Sequence, residues 1–135
     1  MTALKLAAMR GVDVRILTPE VIDHKIVWLA ALAYFDEVME AGVQIWRYND
    51  GFMHQKVVLV DETAVSIGTT NLDNRSCRLN FEATAVVFGE EPAEKVAEML
   101  KADFARSFLL TTSLDERPMQ IRYGAPVARL FSPLL

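Results

Sequence analysis

His54 and Lys56 stand two positions apart near the middle of this chain, with Gln55 between them. In an extended segment residues two apart share a face, so a strand running from Met53 to Val60 would hold imidazole and ammonium side by side and turn Gln55 away. An imidazole exchanges a proton or acts as a nucleophile near neutral pH, and an ammonium offers a compact charge to a phosphate oxygen. Four apolar residues follow, then Asp61, then a second apolar run ending in Gly68-Thr69-Thr70-Asn71. A loop there could return to the same edge, where the Asn71 amide would donate to the same anion. Without that context, His54 and Lys56 also fit a hydrogen-bonded strand residue beside a solvated surface charge.

Positioning such a pair calls for a sheet and helices to support it. Leu4, Ala7 and Ala8, followed by Gly11, describe the end of a short helix. Val12, Val14 and Ile16 then alternate with polar residues as a strand does, and Thr18-Pro19 ends it. Asp23 can cap a helix running to about Ala41, with Gly42 as its stop and Ile26, Leu29, Ala30, Ala33 and Val38 as the stripe that lies on the sheet. Val43, Ile45 and Trp46 open a second strand, Asn49-Asp50-Gly51 is a turn into the His54 segment, and Asp61-Glu62 turns the chain into Ala64 to Gly68. A polar loop from Thr69 to Ser76 precedes a strand from about Asn80 to Phe88. Pro92 suits the first turn of a further helix, in which Val96, Ala97, Leu100, Phe104 and Phe108 recur at helical spacing. The alternation of elements makes residues 1–117 an α/β layered domain, a mixed β-sheet flanked by helices. Residues 118–135 hold Pro118, Pro126 and Pro133 and end in Leu130, Phe131, Leu134 and Leu135; they read as an apolar tail that either covers the core or faces a membrane.

Composition narrows the classes. With 135 residues and 52% apolar content, one domain with a real core is expected and disorder is not. The positive mean hydropathy of +0.19 suggests more apolar surface than one small globule hides, leaving some for a neighbour or a membrane. A net charge of −4 argues against a nucleic-acid partner, which draws on basic patches. The single cysteine, Cys77, cannot form an intrachain disulfide and reads as a small packing residue. The longest apolar run, Ile26 to Phe35, is about half the ~20 residues a membrane span needs, and no targeting segment is evident at Met1 to Arg10. No Cys/His cluster has zinc spacing and no carboxylate set suggests a metal site, so neither metal nor cofactor is expected. His24 reads as a helix-capping residue, and Trp28, Tyr34 and Phe35 as core.

Taken together, His54, Lys56, Asp61, Gly68, Thr69 and Asn71 resemble the HxKx4D…G[ST]xN signature of the phospholipase D superfamily. The flanks, Arg47-Tyr48, Asn71-Leu72-Asp73-Asn74-Arg75-Ser76, Arg78-Leu79-Asn80-Phe81-Glu82 and Gly11 to Pro19, are similar to bacterial cardiolipin synthases in particular. The likeness runs over roughly residues 3 to 108. It implies that His54 is one of two catalytic histidines, that Lys56 and Asn71 bind phosphoryl oxygens, and that Thr69 lines the same pocket. Glu82 matches the acid that orients a catalytic histidine through its far ring nitrogen, the alternative being a surface acid on a strand. Asp61 belongs to the signature and to the catalytic set, although its place past the strand end suggests a turn-and-charge role. Arg75 or Arg78 could touch a lipid headgroup; an internal pair with Asp73 that holds the loop is the other option.

The resemblance also implies the reaction: a histidine attacks a phosphodiester, forming a phosphohistidine that an alcohol later displaces, while a second histidine moves the proton. One imidazole cannot occupy both ends of an in-line displacement. His24 lacks the accompanying lysine and Gly-Asn loop, so a second phospholipase D-like half-domain is expected, either an upstream segment or a second copy across a two-fold axis. The family joins two such domains behind N-terminal membrane helices, and this sequence matches the second. The expected activity is transfer between two phosphatidylglycerol molecules, giving cardiolipin and glycerol, at the bacterial cytoplasmic membrane. The partners would be an anionic phospholipid and a membrane surface. The alternatives are a homodimeric phosphodiesterase or nuclease, and an inactive lipid-binding fragment.

Overall fold

A computed structural model describes residues 1–21 and 24–133 of the chain. Helix α1, Thr2–Met9, leads to strand β1, Arg15–Pro19; helix α2, Lys25–Met39, leads to β2, Gln44–Tyr48. Strands β3, Val57–Val60, and β4, Ala64–Gly68, form a hairpin. Short helix α3, Asn74–Arg78, and strand β5, Thr84–Phe88, follow. Helix α4, Glu90–Ala105, strand β6, Ser107–Leu109, a 3-10 turn at Leu114–Glu116 and helix α5, Met119–Leu130, complete the chain.

The fold is mixed α/β, as the alternation of elements predicts, but the strands form two sheets. In the first, ordered β1-β2-β6, β1 runs parallel to β2 and β6 antiparallel. The second, β3-β4-β5, is antiparallel throughout. Helix α4 packs on strands of both sheets and so joins them. Leu32, Phe35 and Val38 of α2 meet Val43, Ile45 and Ala125 in one core cluster. Val38 and Ile45 have no exposed surface, and each such burial stabilises by about 1.5–3 kcal/mol.

Several expectations are corrected. Strand β1 begins at Arg15, not Val12, and retains Thr18 and Pro19; Pro19 is tolerated because β1 is an edge strand. Asp23, the expected cap of α2, lies outside the described residues, and His24 takes the N-cap position. The buried stripe of α2 includes Leu32 and Phe35, while Ile26 is exposed in the first turn. Gly42, in the left-handed region at φ 94°, ends that helix, and the Val43 N–H returns to the Val38 carbonyl at 3.0 Å. The expected polar loop Thr69 to Ser76 ends in the first residues of α3, and the strand after it begins only at Thr84. Phe108 lies in β6, not on α4.

Residues 118–133 contain α5, which packs along α2 and contributes Ala125 to the core. The Tyr34 hydroxyl meets the Ser132 hydroxyl at 2.6 Å, fastening the end of α5 to α2. Leu134 and Leu135 of the expected apolar end lie outside the described residues.

Candidate functional site

The segment that carries His54 is held from both ends. Before the turn at Gly51 (φ 104°), Asp50 accepts from Arg106 at 3.0 Å, and after it the Gln55 amide donates to Asp103 at 2.8 Å. Asp103 is buried on the last turn of α4, and its other oxygen accepts from Arg106 at 2.6 Å. The chain Asp50–Arg106–Asp103–Gln55 therefore brackets Phe52, Met53 and His54. Ordered strand begins at Val57 rather than Met53, so His54 and Lys56 precede β3 instead of lying in it. Pairing nonetheless reaches Lys56, whose carbonyl accepts from the Gly68 N–H at 3.1 Å.

Gln55 turns to α4, as alternation requires, leaving His54 exposed with its ring stacked on Phe52 at 5.9 Å. The Lys56 ammonium folds back to donate to the His54 carbonyl oxygen at 2.8 Å. The two site residues are thus neighbours through the backbone of one and the side chain of the other.

Gly68 sets the next strand. A Cβ there would lie 2.5 Å from the Thr84 hydroxyl and 2.6 Å from the Ala83 carbonyl oxygen, so β4 and β5 approach as they do only because that position lacks a side chain. The Thr69 N–H then donates to the Ala83 carbonyl at 3.0 Å, and the Thr69 hydroxyl accepts from the Ala83 N–H at 3.0 Å while donating to the Glu82 carboxylate. Glu82 also accepts from the Asn80 amide at 3.0 Å. The Thr69 hydroxyl first, and the Asn80 amide second, hold the Glu82 carboxyl below its ordinary value, with a smaller contribution from the Lys56 charge. Glu82 is therefore ionised at neutral pH, opposite the lysine.

Glu82 is engaged next to its own strand. Among the described residues it makes no hydrogen bond to His54; its carboxylate is taken by Thr69 and Asn80, which the β4–β5 ladder brings closer. Asp61 follows the last residue of β3. It sits with Glu62 in the turn after β3, both at positive φ (47° and 53°), five residues and roughly 16 Å of extended chain from Lys56. Asn71 is exposed on the loop after β4, and the Arg75 guanidinium donates to the Asn80 amide oxygen at 3.3 Å. Among the described residues no Asp73–Arg pair forms: Asp73 caps α3 by accepting from the Ser76 N–H at 2.6 Å. Cys77, expected as a packing residue, is exposed because α3 lies at the surface.

The structure thus joins Thr69, Glu82, Asn80 and Arg75 by hydrogen bonds, pairs the Lys56 backbone with Gly68 next to Thr69, and leaves His54 and Asn71 exposed on the flanking segments. Sequence reasoning missed Phe52, Asn80 and Asp103. Only Asp103 left a signal: an acid recurring on the apolar side of α4, one position before Phe104.

The cardiolipin synthase, phospholipase D-like domain family matches residues 1–106, and the chain belongs to that family. Cardiolipin synthase A of Pseudomonas aeruginosa (strain LESB58) is 50% identical over 137 residues, covering 100% of this chain and 28% of the relative. Cardiolipin synthase of Geobacillus kaustophilus (strain HTA426) is 43% identical over 136 residues, covering 100% of this chain and 27% of the relative. The chain therefore spans little more than a quarter of the length of these curated relatives. Among solved structures, the phospholipase D family member Nuc of Salmonella typhimurium superposes with a TM-score of 0.72 at 24% identity, over 82% of this chain and 72% of that one. Phosphatidylserine synthase of Haemophilus influenzae Rd KW20 gives 0.69 at 15% identity, over 99% and 38%. These two likenesses establish the phospholipase D-like fold.

Proposed function

We propose that this chain supplies one half-site for phosphatidyl transfer in cardiolipin synthesis. A histidine nitrogen attacks the phosphorus of one phosphatidylglycerol, the P–N bond forms, and the P–O bond to the terminal glycerol breaks. The glycerol oxygen leaves with a proton from the opposed histidine. A hydroxyl of a second phosphatidylglycerol then returns that proton as its oxygen displaces the histidine, giving cardiolipin and one free glycerol. His54 fills one of these two places, with the general acid/base role assigned by likeness to the family. Lys56, Thr69 and Asn71 hold the phosphoryl oxygens, with Arg75 at the edge. Neither step calls for a metal or cofactor.

The observation that supports this reading is the Gly68–Lys56 ladder bond, which joins the Lys56 backbone to the residue before the Thr69–Asn71 loop, while the Lys56 ammonium rests on the carbonyl oxygen of the exposed His54. Its openness suits a site that a second phospholipase D-like half-domain covers, whether another domain or a second copy, and the family membership favours a lipid over a nucleic acid. The location that follows is the bacterial membrane surface.

Conversion of labelled phosphatidylglycerol to cardiolipin and glycerol tests the proposal. His54→Ala should lower the rate at least about 10³-fold with an unchanged circular-dichroism melt. Near-wild-type turnover would remove His54 from the mechanism. If the chain is a strict monomer, glycerophosphoglycerol binding is the readout: amide shifts at Lys56 and Thr69 are expected, and their persistence in Lys56→Ala would refute the phosphate assignment.

A further inference from the structure

Helix α5 has two apolar faces. Ile121, Ala125 and Ala128 turn to α2 and the core, whereas Met119, Tyr123, Val127 and Leu130 recur at i, i+4, i+8 and i+11 on the opposite side, each 57–77% exposed. A helix that merely covers a core carries polar residues on its outer side, so this second stripe needs a non-aqueous neighbour.

Charge indicates which neighbour. From Arg117 to the end the chain has three arginines, Arg117, Arg122 and Arg129, and no acidic residue, although the net charge of the whole is −4. Asp115 pairs with Arg122 and Glu37 with Arg129, but these pairs are partly exposed, and each guanidinium has five N–H donors to share. A groove of about 640 Å³ between α2, α3 and α5 adds Arg78, which makes no ion pair among the described residues and faces the same space as Arg129 and Leu130. Arginines beside a stripe containing Tyr, Val, Leu and Met form the pattern of a helix lying in the headgroup layer of an anionic bilayer. Twelve residues are too few to span, and none of the described helices is long and apolar enough to cross a membrane.

The position also suits the chemistry. The Asn74 amide donates to the Ser132 hydroxyl at 3.0 Å, so the end of α5 touches the start of α3, three residues beyond Asn71. We infer that the outer face of α5, with Arg78 of α3, docks on an anionic phospholipid surface and brings the phosphate loop to the lipid. The transferase proposal supplies the reason for a lipid phase at this loop; the docking itself uses neither His54 nor Lys56.

Co-sedimentation of the full chain with vesicles tests this. Phosphatidylcholine vesicles containing about a third phosphatidylserine or phosphatidylglycerol should bind at least about tenfold better than phosphatidylcholine alone, and salt should weaken the binding. The two anionic lipids should be equivalent. Arg117→Gln with Arg122→Gln, and separately Tyr123→Ser with Val127→Ser and Leu130→Gln, should each lower partitioning about tenfold with unchanged melts. His54→Ala should bind as wild type, so loss of transferase activity with docking retained separates the two proposals. Equal binding to neutral vesicles, or unaltered binding by both α5 variants, would overturn the inference. So would binding to phosphatidylglycerol alone that disappears in Lys56→Ala, or a self-association that the α5 variants abolish without vesicle binding.

Discussion

Gly68 shows how much one missing methyl group can position. Two of the three atoms that a Cβ would strike belong to the backbone of Ala83 and Thr84, so no rotamer change could make room. Gly68→Ala should therefore spread β4 from β5, lower stability by about 1–3 kcal/mol in chemical denaturation, and break the Thr69–Glu82 contact. A melt like that of wild type would show that the ladder yields more easily than its geometry suggests. The residue types of this site were legible from the signature they resemble: histidine, lysine, threonine and asparagine lie at the two ends of the β3–β4 hairpin, within two or three residues of the paired Lys56 and Gly68. The partners were not. Whether Glu82 binds His54 or Thr69 depends on a register between β4 and β5 that is set by packing across fourteen residues of chain, and no local pattern encodes it.

At the level of elements, the clamp between the His54 segment and α4 takes the place of the strand that alternation predicted. Residues 52–55 precede the ladder, and the segment is tied to α4 and the residue after it through the side chains of Asp50 and Gln55. Asp103→Ala should leave Arg106 with Asp50 as its one remaining carboxylate among the described residues and Gln55 without an acceptor, destabilising by about 1–3 kcal/mol. Hydrogen exchange should accelerate at residues 51–56 and stay unchanged in β1 and β2; uniform acceleration would mean that Asp103 supports the whole fold rather than this segment. Helices α2 and α4 were legible because a stripe repeated over fifteen or sixteen residues averages out local exceptions. Helix α3, only five residues long, gave no period to read and depends on one cap, Asp73.

For the molecule as a whole, Glu37 joins three helices, since its carboxylate takes Lys5 of α1 and Arg129 of α5 while sitting on α2. Lys5 first and Arg129 second hold its carboxyl below the ordinary value. A group whose pKa is lowered by folding stabilises fully above its unfolded value and loses that contribution as pH falls through the folded one. The melting temperature should accordingly drop on acidification below about pH 4.5, and Glu37→Gln should flatten that acid limb while lowering the neutral-pH melt. An unchanged acid limb would place the sensitivity elsewhere. The division into two sheets was not legible, because strand order follows from contacts between distant segments that a period-two pattern cannot report.

Strand β5 has a further consequence. It is exposed along its whole length, ends its sheet, and carries Val86, Val87 and Phe88. Its outer rim presents backbone donors and acceptors with no proline or lysine to deter a visitor. Stock solutions of this polypeptide should therefore cloud with storage and concentration as rims of neighbouring molecules zip together, and a charged residue at position 86 should keep them clear.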